Sequence, residues 1–150
     1  MSNILITGSG KGLGLALSEE LENQGHNVFG YDIGNGDDVR RPDLSDLPEE
    51  LDILINNAGV NIINWLEKFV EGEWDMVMDT NAKGIYMMSQ ACLPMLIKSK
   101  GTIVNIVSNA AHMPMTCSLA YNASKGAAHI MTLQLARELT KKHGITVFGT

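Results

Sequence analysis

Asn3-Ile-Leu-Ile-Thr-Gly-Ser-Gly-Lys-Gly-Leu-Gly14 is the stretch on which the fold turns. Its opening is a short apolar run ended by glycines. Gly12 to Asn23 then carries Leu13, Ala16, Leu17 and Leu21 at helical spacing, and Gly25 supplies a stop. The pattern predicts strand, tight turn, helix. His26 to Ile33 follows as a second strand-like run, closing a unit whose strands should be parallel and whose crossover should be right-handed. In such a unit Gly8, Gly12 and Gly14 let the backbone bend, approach a ligand and pack the helix on the sheet, while free N–H groups at the helix start face a phosphate. A nucleoside-triphosphate loop is excluded, because Gly10-Lys11 is followed by Gly12 and not by the Ser or Thr that magnesium requires.

Working outward, Asp32 stands twenty residues beyond Gly12, at the end of the second strand, where a carboxylate can accept hydrogen bonds from ribose hydroxyls. It would repel a 2'-phosphate, which favours NAD; Lys11 beside the same pocket is the contrary signal and leaves NADP possible. From Gly34 to Pro48 the composition turns to Gly, Asp, Arg and Pro, no helix fits, and Val39 to Leu44 is expected as a short or irregular third strand. Leu51 to Ile55 reads as a buried strand, ended by Asn56-Asn-Ala-Gly59, whose polar side chains suit a ligand crevice at a topological switch point. Glu73 to Lys98 is expected to be helical, with a stripe of Trp74, Val77, Met78, Ile85, Met88, Cys92 and Met95 that Asn81 interrupts. Thr102 to Val107 reads as a buried strand ending at Ser108, Tyr121 to Lys142 as a helix with Ala128, Met131, Leu135 and Leu139 on its apolar face, and Ile145 to Phe148 as a further strand. The whole is one domain over 1–150, an α/β chain with a Rossmann-like, doubly wound parallel sheet in three layers.

Tyr121 and Lys125 lie four positions apart and share one helix face. A nearby cation favours the phenolate, which makes such a tyrosine a usable acid or base near neutral pH. Together with Thr7-Gly-Ser-Gly-Lys-Gly-Leu-Gly14, Asn56-Asn-Ala-Gly59 and Ser108, thirteen residues before Tyr121, the pair resembles the short-chain dehydrogenase/reductase family. The resemblance implies reversible hydride transfer between a nicotinamide and a small alcohol or ketone. It implies Tyr121 as general acid/base, Lys125 as the cation that lowers its pKa and holds the nicotinamide ribose, Ser108 on the reacting oxygen, and Asn81 as holder of a relay water. It also implies a cofactor site of Gly8, Ser9, Lys11, Gly12, Leu13, Gly14, Asp32, Ile33, Asp43, Leu44, Asn57, Ala58, Gly59, Tyr121 and Lys125. Asp43 has two readings of equal weight, a contact to adenine or the N-cap of a brief helix after Ser45.

The sequence departs from the family twice: it is abbreviated after the second strand, and it ends before the family's Pro-Gly cofactor loop and substrate-covering segment. A fragment, a truncated natural form, or a site completed by another chain are the expectations that follow. Two other readings stand beside the dehydrogenase, a catalytically impaired nucleotide-binding or assembly module and a nucleotide-sugar epimerase or dehydratase of the extended branch. Met113, Pro114 and Met115 are candidates for an apolar substrate wall, whereas His112 and Cys117 have no identifiable partner. The family also leads to an expected homodimer or homotetramer, paired through helices resembling 73–98 and 121–142.

A length of 150 residues with 45% apolar and 19% charged residues suits one folded domain, and a formal charge of -6 argues against nucleic acid or an anionic membrane as partner. Cys92 and Cys117 lack metal-ligand or CxxC spacing, so no metal site or disulfide is expected, and reduced thiols fit a cytoplasmic setting. No run is long enough to span a bilayer and no signal peptide is expected.

Overall fold

The computed structural model describes residues 1–150. Five parallel strands form one sheet in the order β2-β1-β3-β4-β5: β1 (Asn3–Thr7), β2 (Asn27–Tyr31), β3 (Ile53–Asn56), β4 (Thr102–Asn105) and β5 (Thr146–Gly149). β1 pairs with β2 on one side and β3 on the other, so the chain reverses its direction of travel across the sheet beside β1. That reversal opens a crevice between the carboxyl ends of β1 and β3, the place where ligands bind in open parallel sheets.

The alternation of β1 divides the core. Leu5, Leu54 and Ile103 face the layer of Met88, Cys92, Leu96 and Leu139 from α3 (Gly84–Ser99) and α4 (Leu119–His143). Ile4, Ile6 and Ile55 face the opposite side, where Leu17 and Leu21 of α1 (Gly12–Asn23) pack. The inward stripe of α1 is thus Gly14, Leu17, Ser18 and Leu21, whereas Leu13 and Ala16, expected on it, point to solvent. The expected stop at Gly25 holds, with φ of 84°, and Gly144, with φ of 72°, closes α4 in the same way, both values at which an L side chain is strained.

The region after β2 corrects two expectations. Val39 to Leu44 forms no strand, leaving β2 as the sheet edge, and no helix follows Ser45. Local side-chain bonds win instead: the Arg40 amide donates to Asp38 Oδ1 at 2.9 Å and the Ser45 amide to Asp43 Oδ1 at 3.1 Å, each closing a turn. The segment is fastened to the domain by Val39, buried against Gly84, and by the Asp43 amide, which donates to Tyr31 Oη at 3.0 Å.

The long helix expected over 73–98 is three pieces: α2 (Glu71–Met78), a π-helical turn (Asp79–Lys83) and α3. The wider turn carries Asn81 and Ala82 into the interior. Of the stripe expected there, Val77, Ile85, Met88 and Cys92 are buried, while Trp74 is half-exposed.

Candidate active site

The glycine turn is shaped by contacts that exclude side chains. Gly8 has φ of 67°, and a Cβ there would stand 2.8 Å from the Ala58 Cα; on Gly14 it would stand 2.1 Å from the Gly8 carbonyl oxygen. These contacts draw α1 down onto the end of β1. The amides of Gly12, Leu13 and Gly14, at the start of α1, find no acceptor in the protein, and no acidic side chain occupies that first turn. Ser9 is buried against Gly30, and Lys11 stays exposed.

Asn56-Asn-Ala-Gly59 clasps this turn from β3. Asn57 Nδ2 donates to the carbonyls of Thr7 at 2.9 Å and Gly8 at 3.1 Å. Thr7 Oγ1 in turn accepts from the amides of Asn57 and Ala58, both at 3.0 Å. Sequence alone gives Thr7 no role of its own, because a lone threonine between a strand and a glycine carries no signal of the segment it will hold. Asn56 serves the sheet instead: Nδ2 donates to Asn105 Oδ1 at 2.8 Å, Asn105 Nδ2 donates to Thr132 Oγ1 at 2.9 Å, and Thr132 Oγ1 donates to the Ala128 carbonyl at 2.7 Å. This buried chain ties β3 and β4 to α4.

Asp32 lies at the carboxyl end of β2 as expected, with both oxygens engaged by backbone. Oδ2 accepts from Gly10 at 2.9 Å and Oδ1 from Gly34 at 2.8 Å. The Gly34 amide, then the Gly10 amide, hold its carboxyl below the usual carboxylate range, and the Lys11 charge adds to the effect. Ile33 is exposed beside it, whereas the Leu44 side chain turns inward against the core and the exposed Asp43 carboxylate accepts from the Ser45 amide through one oxygen.

Across the crevice, α4 presents Tyr121 half-buried and Lys125 only 5% exposed. The Lys125 ammonium donates to the Ile106 carbonyl at 2.7 Å and stands 5.7 Å from the centre of the Tyr121 ring, within cation–π range. Burial pushes its pKa down from the ordinary lysine value. Ser108 sits two residues beyond Ile106, at the end of the extended run, and its Oγ accepts from the Ala110 amide at 3.1 Å. β4 itself is shorter than the run expected over 102–107, though Ile106 and Val107 continue its ladder through bonds to the Asn56 and Thr150 carbonyls.

Asn81 is fully buried, with both Nδ2 hydrogens donated and one bond accepted by Oδ1. Oδ1 accepts from the Val60 amide at 2.8 Å, while Nδ2 donates to the Val60 carbonyl at 2.8 Å and to Ser124 Oγ at 3.0 Å. Ser124, fully buried between Tyr121 and Lys125 in sequence, donates onward to the Tyr121 carbonyl at 2.8 Å. The buried face of α4 therefore carries Ser124, Lys125 and Thr132 among Ala120, Ala128 and Leu139, so polar residues join the apolar face expected there. Asn122 fastens the Met115 backbone through two bonds, which sets the exposed Met113 and Met115 beside the Tyr121 turn. A cavity of about 280 Å³ adjoins Ser108, and His112 and His129, in edge contact at 4.6 Å, line it.

The family model described as short chain dehydrogenase matches residues 44–150. The chain belongs to the short-chain dehydrogenase family. The match begins within the abbreviated segment, so the glycine turn and Asp32 precede it, but individual relatives extend over them. The 3-oxoacyl-(acyl-carrier-protein) reductase FabG of Staphylococcus epidermidis is 28% identical over 173 residues, covering 95% of this chain and 70% of its own length. The 3-ketodihydrosphingosine reductase of Bacteroides thetaiotaomicron is 35% identical over 159 residues, covering 93% of this chain and 59% of its own. Among solved structures, a 4-hydroxyisoleucine dehydrogenase complexed with NADH superposes with a TM-score of 0.88 at 28% identity, over 99% of this chain and 74% of that one. This short-chain dehydrogenase thus shares the layout of a family of oxidoreductases, and no helix in it is long and apolar enough to cross a membrane.

Proposed function

We propose that this short-chain dehydrogenase interconverts a small alcohol and its carbonyl compound with NAD, using Tyr121 as general acid/base. The observation that carries the reading is the buried Lys125 ammonium, held by the Ile106 carbonyl and set against the Tyr121 ring. The crevice fits a dinucleotide. The unengaged amides of Gly12, Leu13 and Gly14 suit the pyrophosphate, a Cβ on Gly12 would meet nothing within 4 Å, and each Asp32 oxygen retains acceptor capacity for a ribose hydroxyl. Lys125 would hold the second ribose, and Asn57, Ala58 and Gly59 would border the path between them. When bound, the nicotinamide supplies the two-electron acceptor or donor at the carbinol carbon.

The residues manage the proton. Tyr121 as phenolate takes the alcohol proton in oxidation and returns it in reduction. The Lys125 ammonium, set against the Tyr121 ring, supplies the positive charge beside the transferred proton, and the Ser108 hydroxyl steadies charge on the reacting oxygen. Because the Asn81 amide is committed to Val60 and Ser124, its part in a water relay would fall to the π-turn backbone around it, with the side chain as a positioning group. NAD is favoured over NADP by the Asp32 charge. The names of the relatives, two reductases and a dehydrogenase, support alcohol and carbonyl chemistry.

We also place the protein in the cytoplasm as a homo-oligomer. Exposed Tyr86 and Ile97 on α3, with Leu119, Ile130 and Leu133 on α4, supply apolar surface for pairing, and light scattering at micromolar concentration should show more than one copy. The mechanism is tested by Tyr121→Phe against a panel of alcohols, which should lower turnover by about 10²- to 10⁴-fold with NAD affinity unchanged. Undiminished turnover would remove Tyr121 from the reaction. NAD binding by wild-type protein without oxidation of any alcohol favours the impaired binding module instead.

A further inference from the structure

We propose that Gly10, a position between the glycines that shape the turn, is a cofactor-specificity residue: its missing side chain lets the Asp32 carboxylate latch onto the turn, and the latch fixes the charge that separates NAD from NADP. The inference rests on the reading of the crevice as a dinucleotide site.

The Gly10 amide donates to Asp32 Oδ2 at 2.9 Å. A Cβ on Gly10 would stand 2.8 Å from Asp32 Cγ, 2.9 Å from Oδ1 and 3.0 Å from Oδ2, so any other residue here must push the carboxylate away. Conformation gives no competing reason for glycine, since Gly10 is not among the glycines with positive φ. From the other side the Gly34 amide holds Oδ1 at 2.8 Å, and a Cβ on Gly34 would approach that oxygen to 3.1 Å. The carboxylate is therefore gripped by two backbone donors from two turns, one following β1 and one following β2.

The consequence is a charge that cannot step aside. An aspartate free to rotate would swing toward solvent and admit a 2'-phosphate, which brings roughly 1.5 to 2 negative charges near neutral pH. Here that swing breaks two charge-assisted hydrogen bonds. The oxygens still have lone pairs for the two hydroxyls of an unphosphorylated ribose. The depressed Asp32 carboxyl agrees with the grip.

Calorimetric titration of NAD and NADP into wild-type protein and Gly10→Ala, with the Asp32 carboxyl followed by carbon NMR against pH, tests the proposal. Gly10→Ala should weaken NAD about tenfold and NADP less than about twofold, the scale of one bond to a charged group. The Asp32 carboxyl should titrate nearer the ordinary value of about 3.9. In an Asp32→Ala background the same change should cost NAD binding nothing further. If Gly10→Ala does not fold, Gly34→Ala presses on the same carboxylate and is read in the same way. Wild-type protein that binds NAD, with a preference and an Asp32 titration that Gly10→Ala leaves unmoved, overturns this proposal alone. Wild-type protein that binds neither nucleotide overturns the dinucleotide reading, and the proposal with it.

Discussion

The glycine turn after β1 and the platform of α4 face each other at one edge of the same sheet, yet they are held in different ways. The turn is set by close backbone packing, with side chains reaching it only from outside: Gly14 lies against the Gly8 carbonyl, the Gly8 amide donates to the Tyr31 carbonyl at 2.8 Å, and the Asn57 side chain ties the Thr7 and Gly8 carbonyls. The platform is set by buried polar side chains, Asn81 and Ser124 at one end and Asn56, Asn105 and Thr132 at the other, drawn from the π turn, β3, β4 and α4. A phosphate-binding turn needs bare N–H groups, so side chains must be kept out of it. An acid/base pair needs one cation desolvated at a fixed place, so side chains must be brought in.

The comparison can be broken first at the turn. Gly14→Ala puts a carbon where the backbone of Gly8 already is, and should cost about 3 kcal/mol or more in denaturant unfolding, with loss of NAD binding. A cost below about 1 kcal/mol would show that the turn yields easily and that close backbone packing is not what holds it.

At the platform, Asn81→Ala strands both the Val60 amide and its carbonyl and frees Ser124, and should cost about 2–3 kcal/mol. Turnover should fall with NAD affinity kept, since the defect lies under Tyr121 and not beneath the turn. Asn81→Asp keeps an acceptor for the Val60 amide but sets an oxygen against the Val60 carbonyl at a buried site, and should be no more stable than Asn81→Ala; wild-type stability in Asn81→Asp would count against the bonding described.

The smallest effect is the most diagnostic of burial. Because the folded-state pKa of Lys125 lies below its unfolded value near 10.5, the folded protein loses this proton first as pH rises. Wild-type stability relative to Lys125→Met should therefore climb as pH approaches 10.5 from the folded-state pKa, and be flat below that window. The Ile106 carbonyl left unpaired in the variant adds an offset that does not vary with pH. A flat difference across the whole range would mean that the ammonium is not desolvated.

The same contrast explains what could be read from sequence. The turn was legible because its determinants are contiguous: an apolar run, three spaced glycines, and an aspartate one strand away. Tyr121 and Lys125 were legible for the same reason, being four residues apart. The bonds that fix them were not. Asn81 meets Ser124 over 43 residues and Asn56 meets Asn105 over 49, and no local pattern records that a polar residue on a helix will find its partner at such distances. The expected apolar face of α4 holds at Ala128, Leu135 and Leu139, and what the sequence does not disclose is that Ser124, Lys125 and Thr132 are buried beside it. The strand expected over Val39 to Leu44 fails for a local reason, since the Asp38 and Asp43 side chains close turns that extended spacing does not reveal.

Whether the crevice beside β1 serves Tyr121 and Lys125 with a dinucleotide is decided by calorimetric titration of NAD into the 150-residue chain. Saturable binding of one NAD per chain, with weaker NADP, is the result expected from the open amides of α1 and the charge of Asp32. Absence of heat with either nucleotide, from protein that melts cooperatively, would contradict it.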